Sequence, residues 1–311
     1  MLLKGKSAIV TGGAGRIGKA ICLLLASEGA SVVVSDSGVN PDGVSPDKGP
    51  AKTVAREIQG MGGRALASSH SIAETEGAKA TIKACLDAFG SVDILVNCAG
   101  ILINGLILDT PEDVWDRQMA VHSRGTFLCS KYAGLRMRDQ KWGRIINFTS
   151  RGGLTGYPGI NSYAMAKGGV TTFTWMLALE LAFYNITVNA VAPTVVAPRR
   201  PSKTGRGEPA MPGSVMKVRQ AYDIDTPYRD PSLNLRPEPV AALVAYLASD
   251  EASYVNGQVI AASGNRMDLW SRPERVKTAF HQRDWDVEAI RKNFRSTIGA
   301  GMSNPIPKLP G

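Results

Sequence analysis

Residues 7–36 read "SAIVTGGAGRIGKAICLLLASEGASVVVSD", and they set the architecture. "SAIVT" (7–11) is a short apolar run closed by glycines, which predicts a buried strand. "RIGKAICLLLASEG" (16–29) carries apolar residues at helical spacing and stops on Gly29, a natural helix end. "ASVVVSD" (30–36) predicts the next strand. The rhythm continues down the chain. Helices are expected over 49–63 and 76–90, and strands over 64–69 and 92–100. Long helical stretches follow from residue 111, then a strand over 143–150. A helix carries "SYAMAKGGVTTFTWMLALELAFY" (162–184), and the strand "ITVNAVAP" (186–193) follows it. The strands are continuous apolar runs, which predicts an α/β fold with a parallel sheet covered on both faces.

Order thins over 197–239, a segment rich in Pro, Arg and Gly. A loop of that length in a compact domain predicts a lid or functional loop. Leu154, Tyr157 and Met211 are candidates to line a pocket, and "RRPSKTGR" (199–206) to meet phosphates. A helix and a strand resume in "VAALVAYLASDEASYVNGQVIAAS" (240–263). From about Met267 the chain reads as a tail, with one helix expected in "DWDVEAIRKNFRSTIG" (284–299).

The 311 residues carry a formal charge of +9, which favours anionic partners such as a nucleotide or a coenzyme A ester. No nucleic-acid module and no basic run with interleaved aromatics is present, so nucleic acid is not expected as a partner. Cys22, Cys85, Cys98 and Cys129 form no CxxC pair and read as buried thiols in a reducing compartment. The start, "MLLKGKSAIVTGG", runs straight into a strand, and no apolar run is long enough to span a bilayer. A cytoplasmic protein without a membrane partner is the expectation.

"TGGAGRIG" (11–18) joins the first strand to the first helix. Gly12, Gly15 and Gly18 let the backbone turn sharply, so a phosphate can approach the helix N-terminus. Asp36 ends the second strand. A carboxylate there can bond both ribose hydroxyls of adenosine and would repel a 2′-phosphate, which favours NAD. Arg16, in the same loop as Ile17, keeps NADP open.

Tyr163 and Lys167 are four apart and share a helix face; Ser150 ends a strand thirteen residues earlier. A phenol ordinarily titrates near pH 10 (about 10 in model peptides), and a lysine charge beside it is expected to lower that value. Such a phenol can exchange a proton with an alcohol or carbonyl oxygen while a serine hydroxyl holds the same atom. The set suits carbonyl/alcohol redox and needs no metal. A catalytically idle nucleotide sensor is the alternative, and the presence of both Tyr163 and Lys167 weighs against it.

Over about residues 5–265 the chain resembles the short-chain dehydrogenases/reductases. The resemblance rests on "TGGAGRIG", "NCAG" (97–100), the Ser150–Tyr163–Lys167 set and "VNAVAP" (188–193). It implies a doubly wound parallel (Rossmann) sheet in a single domain, 1–266, with a substrate loop at about 197–239 and a C-terminal extension, 267–311. It also implies a nicotinamide cofactor, a small-molecule substrate, and a homo-oligomer, dimer or tetramer. Asn97, Ala99 and Gly100 would line the adenosine side, Tyr163 and Lys167 the nicotinamide ribose, and Pro193 and Val195 the cofactor near the nicotinamide. The chain departs from the family pattern at Arg16, where glycine is usual, and at His70, which replaces an adenine-contacting aspartate. His122 stands where a helix asparagine usually relays protons to the lysine, and becomes a catalytic candidate. Thr194 and Pro198 depart at the nicotinamide contact. The extra residues after the second strand, together with His122, look like the dehydrogenase unit of peroxisomal multifunctional enzyme type 2 and its bacterial relatives. That likeness implies hydride transfer between NAD(H) and a 3-hydroxyacyl-CoA or a hydroxysteroid-like ring alcohol. Terpene alcohols, other small secondary alcohols, and ketone reduction in the opposite direction stay open.

Overall fold

The computed structural model describes residues 1–39, 49–195, 211–222 and 235–303. They form an eight-stranded sheet of β1 (Ser7–Thr11), β2 (Ser31–Ser35), β3 (Ala65–Ser68), β4 (Ile94–Asn97), β5 (Gly143–Phe148), β6 (Ile186–Pro193), β7 (Val259–Ser263) and β8 (Arg266–Trp270), in the order β3-β2-β1-β4-β5-β6-β7-β8. All neighbours are parallel except β7 and β8. The strand order reverses between β1 and β4, which opens a crevice at the carboxyl ends of the strands.

Helices α1 (Arg16–Ser27), α2 (Gly49–Gly60), α3 (Thr75–Phe89), α4 (Glu112–Met119), α5 (Gly125–Gln140), α6 (Arg151–Thr155), α7 (Asn161–Leu181), α8 (Gly213–Ala221) and α9 (Glu238–Leu247) follow in chain order. The strands show why both faces had to be covered. Ala8, Val10, Val32, Val34, Ile94 and Val96 pack with α1, α2 and α9, while Ile9, Val33 and Leu95 pack with α3, α5 and α7. Successive strand residues point to opposite faces, so an unbroken apolar run supplies two cores at once. Ile21 and Leu25 of α1 are fully buried, each contributing about 1.5–3 kcal/mol.

Three elements differ from the sequence expectations. β8 adds an antiparallel edge where a tail was expected, so the main unit runs from Met1 to Trp270. Helix α8 forms within the segment expected as loop; "RRPSKTGR" lies outside the described residues. Ser271–Gly311 forms a separate small unit. In it α10 (Val287–Asn293) begins where the Asp286 carboxylate accepts from Ala289 N at 2.7 Å and gives way to a 3₁₀ turn at Phe294, shorter than the single helix expected. No helix among the described residues is long and apolar enough to cross a membrane.

Candidate active site

The turn between β1 and α1 is packed backbone on backbone. Gly12 has φ +65°, and a Cβ there would stand 2.7 Å from Ala99 Cα. A Cβ on Gly18 would stand 2.0 Å from Gly12 O, so no larger residue fits. Gly15 N-caps α1 without a side-chain cap, and the N–H groups of a helix's first turn have no partner within the helix itself. Asp36 holds this turn from the side: its carboxylate accepts from Ala14 N (3.0 Å) and from Gly38 N (2.8 Å). A shaped cradle, an uncapped helix start and a carboxylate beside them fit a dinucleotide. Arg16 is exposed at the rim and Ile17 half-buried; His70 is exposed beyond β3.

Thr11 was not anticipated as a functional residue. Its hydroxyl oxygen accepts from Cys98 N and Ala99 N, both at 3.1 Å, and so ties the glycine turn to the segment after β4. Asn97 is buried; its amide donates to Ser130 Oγ (3.0 Å) and Asn147 Oδ1 (2.8 Å). It braces the sheet behind that segment. Gly100 stands beside it at the surface, and Pro193 and Val195 sit half-buried at the end of β6. Pro198 lies outside the described residues.

Ser150 follows β5 and caps α6, accepting from Gly152 N at 3.2 Å. Tyr163 lies in the first turn of α7 and Lys167 one turn later. α6 packs tightly on α7: a Cβ on Gly153 would stand 2.6 Å from Gly168 N. Ser150 is thereby brought close enough to Tyr163 for its hydroxyl to lower the phenol's pKa. The Thr149 hydroxyl donates to Lys167 O at 3.0 Å, fixing the tip of β5 on α7. Lys167 Nζ donates to Phe148 O at 2.6 Å and lies 5.7 Å from the Tyr163 ring centroid.

The titration of this pair differs from the sequence expectation. Burial pushes the Tyr163 phenol up to about 12, only partly offset by its bond with Ser150. Burial also pulls Lys167 down to about 8. Desolvation, which disfavours the charged form of each group, sets both directions. At neutral pH the site holds a protonated phenol beside an ammonium.

His122 lies in a π-helical turn, Ala120–Arg124, between α4 and α5. Its Nε2 is 2.6 Å from Ile101 O, and its ring meets Tyr163 edge-on at 5.1 Å between centroids. Burial, with the Lys167 charge second, pulls its pKa down to about 3, so the imidazole is neutral. Nε2 also lies 3.2 Å from Ile101 N; in the tautomer that donates from Nε2–H to the nearer Ile101 O, Nδ1 is an acceptor. Nδ1 is buried and has no partner among the described residues. Gln118, another buried residue with no sequence signal, donates to Ser162 Oγ at 2.6 Å and accepts from Ile103 N at 3.2 Å. It pins the start of α7.

Residues 12–264 match the family profile described as enoyl-(acyl carrier protein) reductase. The chain is 44% identical over 190 residues to a peroxisomal hydratase-dehydrogenase-epimerase of Neurospora crassa; the match covers 61% of this chain and 20% of that protein, so the chain spans about a fifth of that relative's length. It is 36% identical over 260 residues to a 3-oxoacyl-(acyl-carrier-protein) reductase of Staphylococcus aureus, covering 83% of this chain and 97% of the relative. Among solved structures, a short chain dehydrogenase from Mycobacterium avium superposes with a TM-score of 0.79 at 31% identity, covering 100% of both chains.

Proposed function

The chain belongs to the short-chain dehydrogenase/reductase family, and from that premise we propose that it interconverts a secondary alcohol and a ketone on a 3-hydroxyacyl or ring-alcohol substrate, with NAD as cofactor. One observation carries the reading: the buried Lys167 ammonium 5.7 Å from the Tyr163 ring, with Ser150 at the N-cap of α6 near them and the glycine turn alongside. The name of the Staphylococcus aureus relative, a 3-oxoacyl-(acyl-carrier-protein) reductase, supports an acyl substrate, and Asp36 at the end of β2 supports NAD over NADP.

The backbone N–H groups at the start of α1 would hold the pyrophosphate, and Asp36 the adenosine ribose. When bound, a nicotinamide supplies the hydride acceptor or donor. Tyr163 gives its phenolic proton to the ketone oxygen, or takes one from the alcohol. Ser150 Oγ shares that oxygen and keeps it within reach. The Lys167 charge stabilises the phenolate as it forms. His122 stays neutral and presents Nδ1 as an acceptor, a place for the water of a proton relay rather than a titrating group.

Exposed apolar side chains on α7, Met165, Met176 and Leu179, and Phe183 in the 3₁₀ turn that follows it, support a homo-oligomer as the working form. The four free cysteines fit a reducing compartment such as the cytoplasm.

The test is NAD reduction, followed at 340 nm (the reduced nicotinamide band), across 3-hydroxyacyl-CoA, steroid and terpene alcohols. Turnover with one class is expected. No reduction with any of them, while NAD still binds, would leave the nucleotide-sensing reading in its place.

A further inference from the structure

Helix α7 begins without a side-chain cap: Ile160 holds the N-cap position and makes no capping bond. The first N–H groups of a helix have no partner within it, so an uncapped start is where a helix frays. Tyr163 lies in that first turn. Lys167, one turn on, is held by α6 and by Thr149; the turn of Tyr163 depends on other ties.

Those ties come from one extended segment, residues 101–105, which continues the stretch 97–100 beside the glycine turn. Every second residue of it is anchored, the period of an extended chain. Ile101 O meets His122 Nε2 at 2.6 Å. Ile103 N donates to Gln118 Oε1 at 3.2 Å. Gly105 N donates to Gly159 O at 3.0 Å, and Gly105 O accepts from Asn161 Nδ2 at 3.1 Å. Gly159 is itself clamped, since a Cβ there would stand 2.2 Å from Val215 Cγ1 of α8. Gln118 links this segment to the tyrosine's own turn. Its amide oxygen takes Ile103 N, and its amide nitrogen donates to Ser162 Oγ at 2.6 Å. Gln118 and Ser162 are both fully buried, and Ser162 directly precedes Tyr163. Breaking a buried bond of this kind leaves an amide and a hydroxyl unpaired, with no water to replace the partner.

We propose that Gln118 is a positioning residue for the reaction: through Ser162 it fixes the first turn of α7, and with it the place of the Tyr163 phenol relative to the cofactor cradle. It acts through Ser162 rather than on the reacting atoms. This rests on the alcohol/ketone reading above and adds a residue to it. Alignment of a proton donor is steep in distance: a misplacement of about 1 Å can cost about 10²-fold in rate.

Two variants of similar volume separate positioning from packing. Gln118→Met keeps the bulk and loses both amide contacts. Gln118→Glu keeps an acceptor for Ile103 N and can accept from the Ser162 hydroxyl, which has a proton to give. With the alcohol that the substrate panel shows to be oxidised, Gln118→Met should lower kcat by about tenfold to 10²-fold, with KM and NAD affinity unchanged. Gln118→Glu should regain a large part of that loss. A role in stability alone gives the reverse order, because burying a carboxylate costs more than burying a thioether. Ser162→Ala cuts the same bond from its other end and should also lower kcat. The double variant Gln118→Met/Ser162→Ala should then cost little more than the worse single one, as for two partners in one bond. Unchanged kcat in Gln118→Met, no recovery in folded Gln118→Glu, or losses that multiply in the double variant overturn the proposal. If Gln118→Met does not fold, Ser162→Ala decides by the same split of kcat from KM. If the unaltered protein oxidises no alcohol, the alcohol/ketone reading fails by itself, and the tie is judged by hydrogen exchange of the NAD-bound protein. Faster exchange over residues 161–167 in Ser162→Ala, with residues 94–100 unchanged, supports it, and equal exchange refutes it.

Discussion

On the nucleotide side of the crevice, between β1 and β4, main chain meets main chain: Gly12 lies against Ala99 and Gly18 against Gly12. On the substrate side, between α6, α7 and α8, side chains meet: Tyr157, Arg151, Arg219 and Val215. The first wall cannot change without moving the fold. The second can be recut one residue at a time. A chain built this way keeps its cofactor geometry while its substrate varies, so family membership fixes the chemistry more firmly than the molecule acted on.

The largest expected effect lies between the two walls. Tyr163→Phe should lower turnover by about 10²–10⁴-fold, the range for loss of a general acid, with NAD binding retained by titration. Near-normal turnover would move the proton-transfer role elsewhere. On the rigid side, Gly18→Ala must displace the Gly12 carbonyl; we expect lost NAD binding and a stability loss of about 1–3 kcal/mol, read by calorimetry. If the variant binds NAD normally, that wall is softer than its contacts imply. Asp36→Ala should leave the cradle standing but lower the NAD-over-NADP preference by about tenfold or more, as expected for one charge-assisted bond; an unchanged preference would remove Asp36 from cofactor selection.

The smallest effect concerns pH. Lys167 is a base whose pKa is pulled down to about 8, so it carries its charge below that value and loses it above. Ketone reduction should therefore decline as pH rises through about 8, and Lys167→Arg, which stays charged, should move that limb upward. His122, held near 3, should contribute no limb between pH 5 and 7. For stability the sign is opposite to that of a gained ion pair. The folded chain gives up the Lys167 proton more readily than the unfolded chain, so the burial cost is felt in full below about 8 and fades as pH rises toward the ordinary lysine value.

Much of the rigid wall could be read in the residues. Glycines at 12, 15 and 18, apolar runs at 7–11 and 31–35, and the spacing of Tyr163 from Lys167 each have a local cause. The rest depends on packing at a distance. Thr11 is an ordinary strand residue until β4 brings Cys98 and Ala99 beside it. β8 is five residues with two exposed apolar side chains, Met267 and Leu269, and it forms because β7 offers an edge. α8 sits between prolines and glycines and gains its place from Val215 on Gly159. The direction of the Tyr163 shift follows from burial, which spacing alone does not report.

The π turn at Ala120–Arg124 carries a separate consequence. Such a turn holds one residue more than a regular helical path would, and each residue in an α-helix advances the side chains by about 100°. Removing a single residue from Ala120–Arg124 would let α4 run into α5 as one regular helix and rotate His122 off the Tyr163 ring, with its imidazole chemistry intact. At this position the count of residues along the chain governs where the imidazole points as strictly as their kind.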